Sequence, residues 1–388
     1  MHFSSRLPAS TAPNALSAAL ARLMAESRAI TDLTVSNPTA CGFAYPETAI
    51  REALSAVGVS HHAPDARGAL TARKAIAAHH GHGLDAKDLL ITASTSEAYA
   101  LLFKLLCDPG DEVLVPSPSY PLFEWLARME GLSAVTVPAW FHERWDLDLA
   151  ALEAACTART RAVCVVNPNN PTGQFLSRGE WRALTDLCAR KGLALIVDEV
   201  FADFPLEPET DHLPTALEDP RPPCPVFVLS GLSKAALLPQ VKLGWIAARG
   251  PEATKALDAL EFIADQYLSV SASAQAATPA ILRLAPALRA QARARARENL
   301  ATLDAWLAKE RTCSRPAVGG GWSVLLRRPA VESDEAFALR LLEREGVLVH
   351  PGHFFDLPVE GHLVLSLLPS PATFCEGLEG LSLALLNR

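Results

Sequence analysis

The chain has 388 residues, 49% of them hydrophobic, with 35 Lys+Arg against 43 Asp+Glu. That length suits two or three domains, or one large α/β unit with an appendage, and a core that needs no metal or disulfide. A formal net charge of −8 argues against a nucleic-acid binder, which normally carries a basic excess. Eight cysteines, none in a CxxC pair, read as reduced and mostly buried thiols. No apolar run approaches the ~20 residues that span a bilayer. Residues 1–8 lack the basic and apolar regions of a secretory signal, so a soluble cytoplasmic protein is expected.

Residues 14–28 carry Leu16, Leu20, Leu23 and Met24 at helical spacing, with Asn14 as N-cap. Ser36-Asn37-Pro38-Thr39 reads as a loop. Short apolar runs at 89–92, 111–115, 162–166, 194–197 and 226–229 read as strands, with a helix over 96–107 between the first two. Such runs separated by helices predict a parallel sheet covered on both faces. Residues 257–307 are dominated by Ala, Leu and Arg at helical spacing, and the tail from 318 mixes shorter elements. The expected division is a large α/β domain over 41–255, then connecting helices and a small α+β domain over 256–388. Residues 1–40 form an arm and part of the small domain. The Arg293-Ala294-Arg295-Ala296-Arg297 run reads as a solvated helix face. His79-His80-Gly81-His82 reads as a surface turn, since no Cys or carboxylate stands at metal-ligand spacing.

Four segments carry chemistry. Ser94-Thr95-Ser96 joins a strand to a helix, where free first-turn N–H groups and small hydroxyls make an anion site. Taken alone it is only a cap. Asn167-Pro168-Asn169-Asn170-Pro171-Thr172-Gly173 is an irregular loop after a strand, at the end of the sheet where open α/β folds bind ligands. Asp198-Glu199 ends a buried strand, and an acid there needs a partner or caps the next helix. Ser230-Gly231-Leu232-Ser233-Lys234 follows another strand. A lysine in a dry cleft has its pKa depressed, which frees the amine for Schiff-base chemistry; elsewhere it is a surface charge.

With Ser119-Tyr120-Pro121 and Lys242-Leu243-Gly244-Trp245, this order resembles the fold-type I, pyridoxal-phosphate-dependent class I/II aminotransferases from about residue 30 onward. The resemblance implies a mostly parallel, seven-stranded-type sheet domain, pyridoxal 5'-phosphate as cofactor, and a homodimer with shared active sites. It implies that Lys234 forms the internal aldimine and then moves a proton on the way to a pyridoxamine intermediate. Asp198 would pair with the pyridine nitrogen, Asn170 would donate to O3′, and Tyr120 would stack on the ring. Ser94, Thr95, Ser96, Ser230, Ser233 and Lys242 would lie around the cofactor. Lys242 stands where relatives usually have a phosphate-binding arginine, and it lacks the bidentate fork. Asn37, Trp322 and Val364 would face substrate.

Three departures bear on the substrate. Phe201 replaces a tyrosine that donates to O3′, a charge-assisted bond worth about 1.5–3 kcal/mol, so the aldimine pKa is expected to rise. His62 stands where relatives often have a tyrosine that reaches the neighbouring subunit's phosphate, which would make that contact depend on pH. In Gly361-His362-Leu363-Val364-Leu365-Ser366, Val364 replaces the arginine that grips the α-carboxylate. His353, His362 and Arg6 are the stand-ins by segment, and restoring arginine at 364 is expected to improve use of simple amino acids. The implied reaction is amino transfer between an amino donor and a keto acid or carbonyl acceptor. The alternative is a lyase, decarboxylase or cyclase on the same scaffold. A nicotinamide dehydrogenase is weaker, because no G-x-G-x-x-G follows a strand.

Overall fold

The computed structural model describes residues 3–56, 62–207 and 211–386. Its centre is a seven-stranded sheet in the order Leu89–Thr92, Gly244–Arg249, Val226–Gly231, Ala194–Asp198, Thr160–Val166, Glu112–Ser117, Ser133–Pro138. All neighbours run parallel except Gly244–Arg249, which is antiparallel to both of its partners.

The apolar runs are continuous because each strand is covered twice. Leu89, Ile91, Val163, Val165, Leu195 and Val197 pack with Ile76, Trp181, Leu184 and Ile281. Their alternates Leu90, Ala162, Cys164, Ala194 and Ile196 pack with Leu102, Phe103, Phe123, Leu257 and Leu260. The five predicted strands recur, Leu89–Thr92 with the expected bounds and the others shifted or extended by one or two residues, and two were not foreseen. Ser133–Pro138 is a half-exposed edge strand with no continuous apolar run. Gly244–Arg249 opens on glycine and carries two alanines, residues with weak strand preference.

A second core joins Leu16, Leu23 and Leu33 to Val324, Phe337, Leu341, Leu363, Leu365 and Phe374. It is built on the three-stranded antiparallel sheet Ser323–Arg327, His362–Ser366, His350–Pro351. Helix Ala272–Leu307, 36 residues long, crosses between the two cores. Ala277 and Ile281 enter the first, Leu300 and Leu303 the second. Leu288 and Ala292 pack at the junction with Phe43, Phe204 and Trp322. Among the described residues, no helix is long and apolar enough to cross a membrane. All eight cysteines are free, five of them buried.

Two sequence-based expectations are corrected. Arg295 does not merely face solvent: its Nη1 donates to the carbonyls of Cys41, Leu368 and Pro369 at 3.2–3.4 Å. His79 and His80 end helix Leu70–His80 and turn inward. His80 Nε2 accepts from the buried Trp245 Nε1 at 2.9 Å, and burial pushes its pKa down to about 3. Both motifs look like surface because the sequence shows their polarity but not the partners supplied by remote elements.

Candidate active site

The chemistry-bearing segments meet at one edge of the large sheet. Five parallel strands end there, leading to Ser94, Ser119, Asn167, Asp198 and Lys234. The antiparallel strand starts there, so Lys242 and Gly244 arrive at the same edge. This is the carboxyl-end crevice where open α/β sheets place ligands.

Lys234 lies on the four-residue helix Leu232–Ala235. Its Nζ is 4.9 Å from the Trp322 ring centroid and 5.7 Å from that of Phe201. Burial lowers its pKa, opposed by the charge of Asp198. Asp198 is 5% exposed. Its Oδ2 accepts from Tyr99 Oη at 3.3 Å and its Oδ1 from Val200 N at 3.1 Å. Burial lifts its pKa to about 6, while Val200, Tyr99 and Lys234 pull the other way. Tyr99 was not expected from sequence, because a tyrosine on the buried face of a helix carries no motif. Glu199 plays a different part, accepting from Thr215 Oγ1 at 2.5 Å and Ala216 N at 2.6 Å.

The three asparagines of the loop also divide. Asn167 accepts from Leu176 N at 2.9 Å and donates to Leu213 O at 3.0 Å. Asn169 donates to Pro118 O at 3.2 Å and accepts from Thr172 Oγ1 at 3.0 Å. Asn170 is half-buried and makes no side-chain hydrogen bond among the described residues. Tyr120 is half-buried, edge-on to Phe123 at 6.1 Å. Burial, then the Asp198 charge, raises its hydroxyl pKa.

Ser94 caps helix Thr95–Leu106, its Oγ accepting from Glu97 N at 3.1 Å, so that hydroxyl is engaged locally. Thr95 and Ser96 occupy the first turn, whose N–H groups have no intrahelical acceptor. A Cβ on Gly244 would lie 2.9 Å from Ser94 C and 3.1 Å from Thr95 N, so glycine alone lets the strand lie against this turn. Lys242 is exposed, in the left-handed region at φ 57°, with no ion pair among the described residues. Ser230 is buried on its strand and Ser233 half-buried beside Lys234.

Trp322 is both a core residue and a wall of the site. It is 3% exposed, T-shaped to Phe201 at 5.3 Å and to Phe204 at 5.0 Å. Val364, 2% exposed, is sealed among Trp145, Leu325, Phe355 and Leu357. None of the three stand-ins joins that cluster. Arg6 donates to Met129 O at 2.8 Å, His362 lies 3.2 Å from Val359 O, and His353 is exposed against Phe354. Asn37 is exposed, its side-chain oxygen accepting from Thr39 N at 3.1 Å. His62 lines a separate cavity of about 520 Å³ with Asp65, Glu97, Tyr267 and Ser269.

A family profile, aminotransferase class I and II, matches residues 29–377. The chain belongs to that family. It is 30% identical over 384 residues to the alanine aminotransferase of Mycobacterium tuberculosis, covering 93% of this chain and 86% of that one. It is 31% identical over 344 residues to the arginine–pyruvate transaminase AruH of Pseudomonas aeruginosa, covering 87% and 85%. Alanine aminotransferase from Pyrococcus furiosus superposes with a TM-score of 0.89 at 26% identity, covering all of both chains. The protein is therefore an aminotransferase, moving an amino group between an amino donor and a keto acid or other carbonyl acceptor, on the fold-type I scaffold. A non-transaminating reaction is not favoured.

Proposed function

We propose that the aminotransferase works with pyridoxal 5'-phosphate bound at the sheet edge, Lys234 being the residue that engages it. The observation that carries this is a buried lysine amine whose pKa is lowered by burial, in one crevice with a buried carboxylate whose charge opposes that shift. The donor set fits the cofactor. The first-turn N–H groups of Thr95 and Ser96, with Lys242, which has no ion pair among the described residues, suit a phosphate. The tight Gly244 contact forms the floor of that cradle. Asp198 suits a protonated ring nitrogen, which would satisfy a carboxylate that burial now penalises. Asn170 has a free amide to donate to the cofactor's phenolic oxygen, with Phe201 apolar beside it. Tyr120 and Trp322 supply flat walls.

When bound, pyridoxal phosphate supplies the electron sink that makes an amine's α-proton removable. Lys234 then holds and returns that proton, a role its lowered pKa suits. Asp198 keeps the ring nitrogen's positive charge in place. Tyr99 and Val200 fix the carboxylate's direction.

The amino donor is proposed to be an amino acid or amine whose carboxylate is not gripped from position 364. We place the enzyme in the cytoplasm, where eight free thiols stay reduced. It works as a homodimer in which His62 approaches the partner's phosphate cradle. Purified protein should turn yellow with pyridoxal phosphate, lose the colour with an amino donor and regain it with a keto acid. Borohydride should fix the cofactor at Lys234, and Lys234→Ala should abolish both colour and turnover. A colourless protein, or trapping at another lysine, overturns the assignment.

A further inference from the structure

Lys234 stands on a helix of four residues, far too short to support itself. Backbone N–H groups of Ala236, Leu237 and Leu238 bond its Leu232 and Lys234 carbonyls. Two remote side chains reach the carbonyls that follow, at Ala235 in the helix and at Leu237 just beyond it. Tyr45 Oη donates to Leu237 O at 2.9 Å, and Arg289 Nη1 donates to Ala235 O at 3.3 Å. Arg289 comes from helix Ala272–Leu307, and the same Nη1 lies 2.9 Å from Asp203 Oδ2. Asp203 follows Phe201 by two residues, and the Phe201 ring stands beside the Lys234 amine. His79 Nε2 lies 3.5 Å from that same carboxylate oxygen.

We propose that Arg289 and Asp203 are a positioning pair for Lys234: Arg289 holds the carbonyl of Ala235, and Asp203 aims Arg289. This rests on the reading of Lys234 as the cofactor-binding amine. The Arg289 and His79 side chains are 12% and 13% exposed and that of Asp203 30%, so water competes for the carboxylate more than for its two partners. Burial alone would lift the Asp203 pKa; His79 and Arg289 outweigh it and hold the carboxyl below its usual range, which keeps it charged at neutral pH. The bond to Arg289 is thus charge-assisted. The pair links both surroundings of the amine, its own helix and the loop of Phe201, to the helix that crosses the two cores. The inward-turned His79 approaches the same Asp203 oxygen that Arg289 bonds.

A small displacement of a reacting group is enough to slow chemistry by about 100-fold. The test uses the full chain as Arg289→Met, Arg289→Lys, Asp203→Asn and the Met/Asn double variant. Three quantities are read: the rate of colour formation when pyridoxal phosphate is added to cofactor-free protein, the pH midpoint of the resulting visible band, and kcat with KM. Arg289→Met should slow colour formation and lower kcat by roughly 10- to 100-fold, with KM for the amino donor within about threefold. Its band midpoint should move by at least about half a unit. Arg289→Lys should recover part of the rate. Because Asp203 acts through Arg289, the double variant should be no slower than Arg289→Met. The proposal is overturned by band midpoints and colour rates that match wild type while only melting temperature falls. Additive losses in the double variant overturn it equally. Lys234→Ala is the separate control: if it still gains the band, the reading of the site fails, whatever Arg289 does.

Discussion

Burial acts in opposite senses on the two ionisable groups of the site. It lowers the pKa of Lys234 and raises that of Asp198, in each case against the charged form. Without cofactor, the Asp198 pKa is near 6 against 3.8 for the free side chain, so the native state binds more protons between those values. Stability from this group therefore falls as pH rises from about 4 to about 6, and stays lower above. Two units correspond to on the order of 3 kcal/mol. In cofactor-free protein, Asp198→Asn should melt about 3–4 °C above wild type at pH 7.5 and level with it near pH 4. The same variant should lose at least about 100-fold in turnover, because a ring nitrogen would lose its counter-charge. Equal melting temperatures at pH 7.5 would show that the carboxylate carries no burial penalty. At this scale the strand-end positions of Asp198 and Lys234 were legible, while residue type alone left a helix cap and a surface charge open. Tyr99 and Arg289 were not, because their partners lie 99 and 54 residues away in sequence.

Between elements, the site depends on how closely a strand and a helix start approach. Gly244 lies against Ser94 and Thr95 with no room for a methyl group. Gly244→Ala should push that turn outward, costing about 1–3 kcal/mol of stability and weakening pyridoxal phosphate binding by about tenfold or more. Equilibrium dialysis of the variant checks this; wild-type affinity would mean the cradle lies elsewhere. Position 364 illustrates the opposite case. The sequence invites an arginine there, but the structure packs Val364 among four buried apolar neighbours. Val364→Arg is expected to lose about 3 kcal/mol or more as an unpaired buried charge, and to gain no activity on simple amino acids. A stable variant with improved use of alanine would show that the cluster opens. The strands were readable because both faces are covered; the register that brings Val364 opposite Leu325 was not, since sequence does not show which strand lies beside it.

Across the whole chain, Leu16, Leu23 and Leu33 join Phe374 and Leu378 in one core, and a single helix carries that core to the large sheet. The order of elements announced the α/β unit. Part of residues 1–40 was expected in the small domain, but no local pattern encodes the partners that Leu16, Leu23 and Leu33 find there. The remaining exposed apolar surface is uneven. Phe262 is 72% exposed, and Tyr267, 56% exposed, lines the cavity with His62, Leu268 and Ser269. Aromatic side chains left in water beside a groove mark a contact surface, and two-fold pairing over it is the commonest way to cover one. If the proposed homodimer forms, this face is the one expected to be covered, with His62 beside the partner's cradle. Light scattering should give wild type twice the 41.5 kDa chain mass. Tyr267→Asp with Phe262→Asp should shift the mass toward one chain and weaken pyridoxal phosphate retention together. His62→Ala should weaken retention while leaving the mass doubled, since it removes the cross-subunit contact and not the apolar face. A wild-type chain that holds cofactor fully at 41.5 kDa would remove both the pairing and the role of His62.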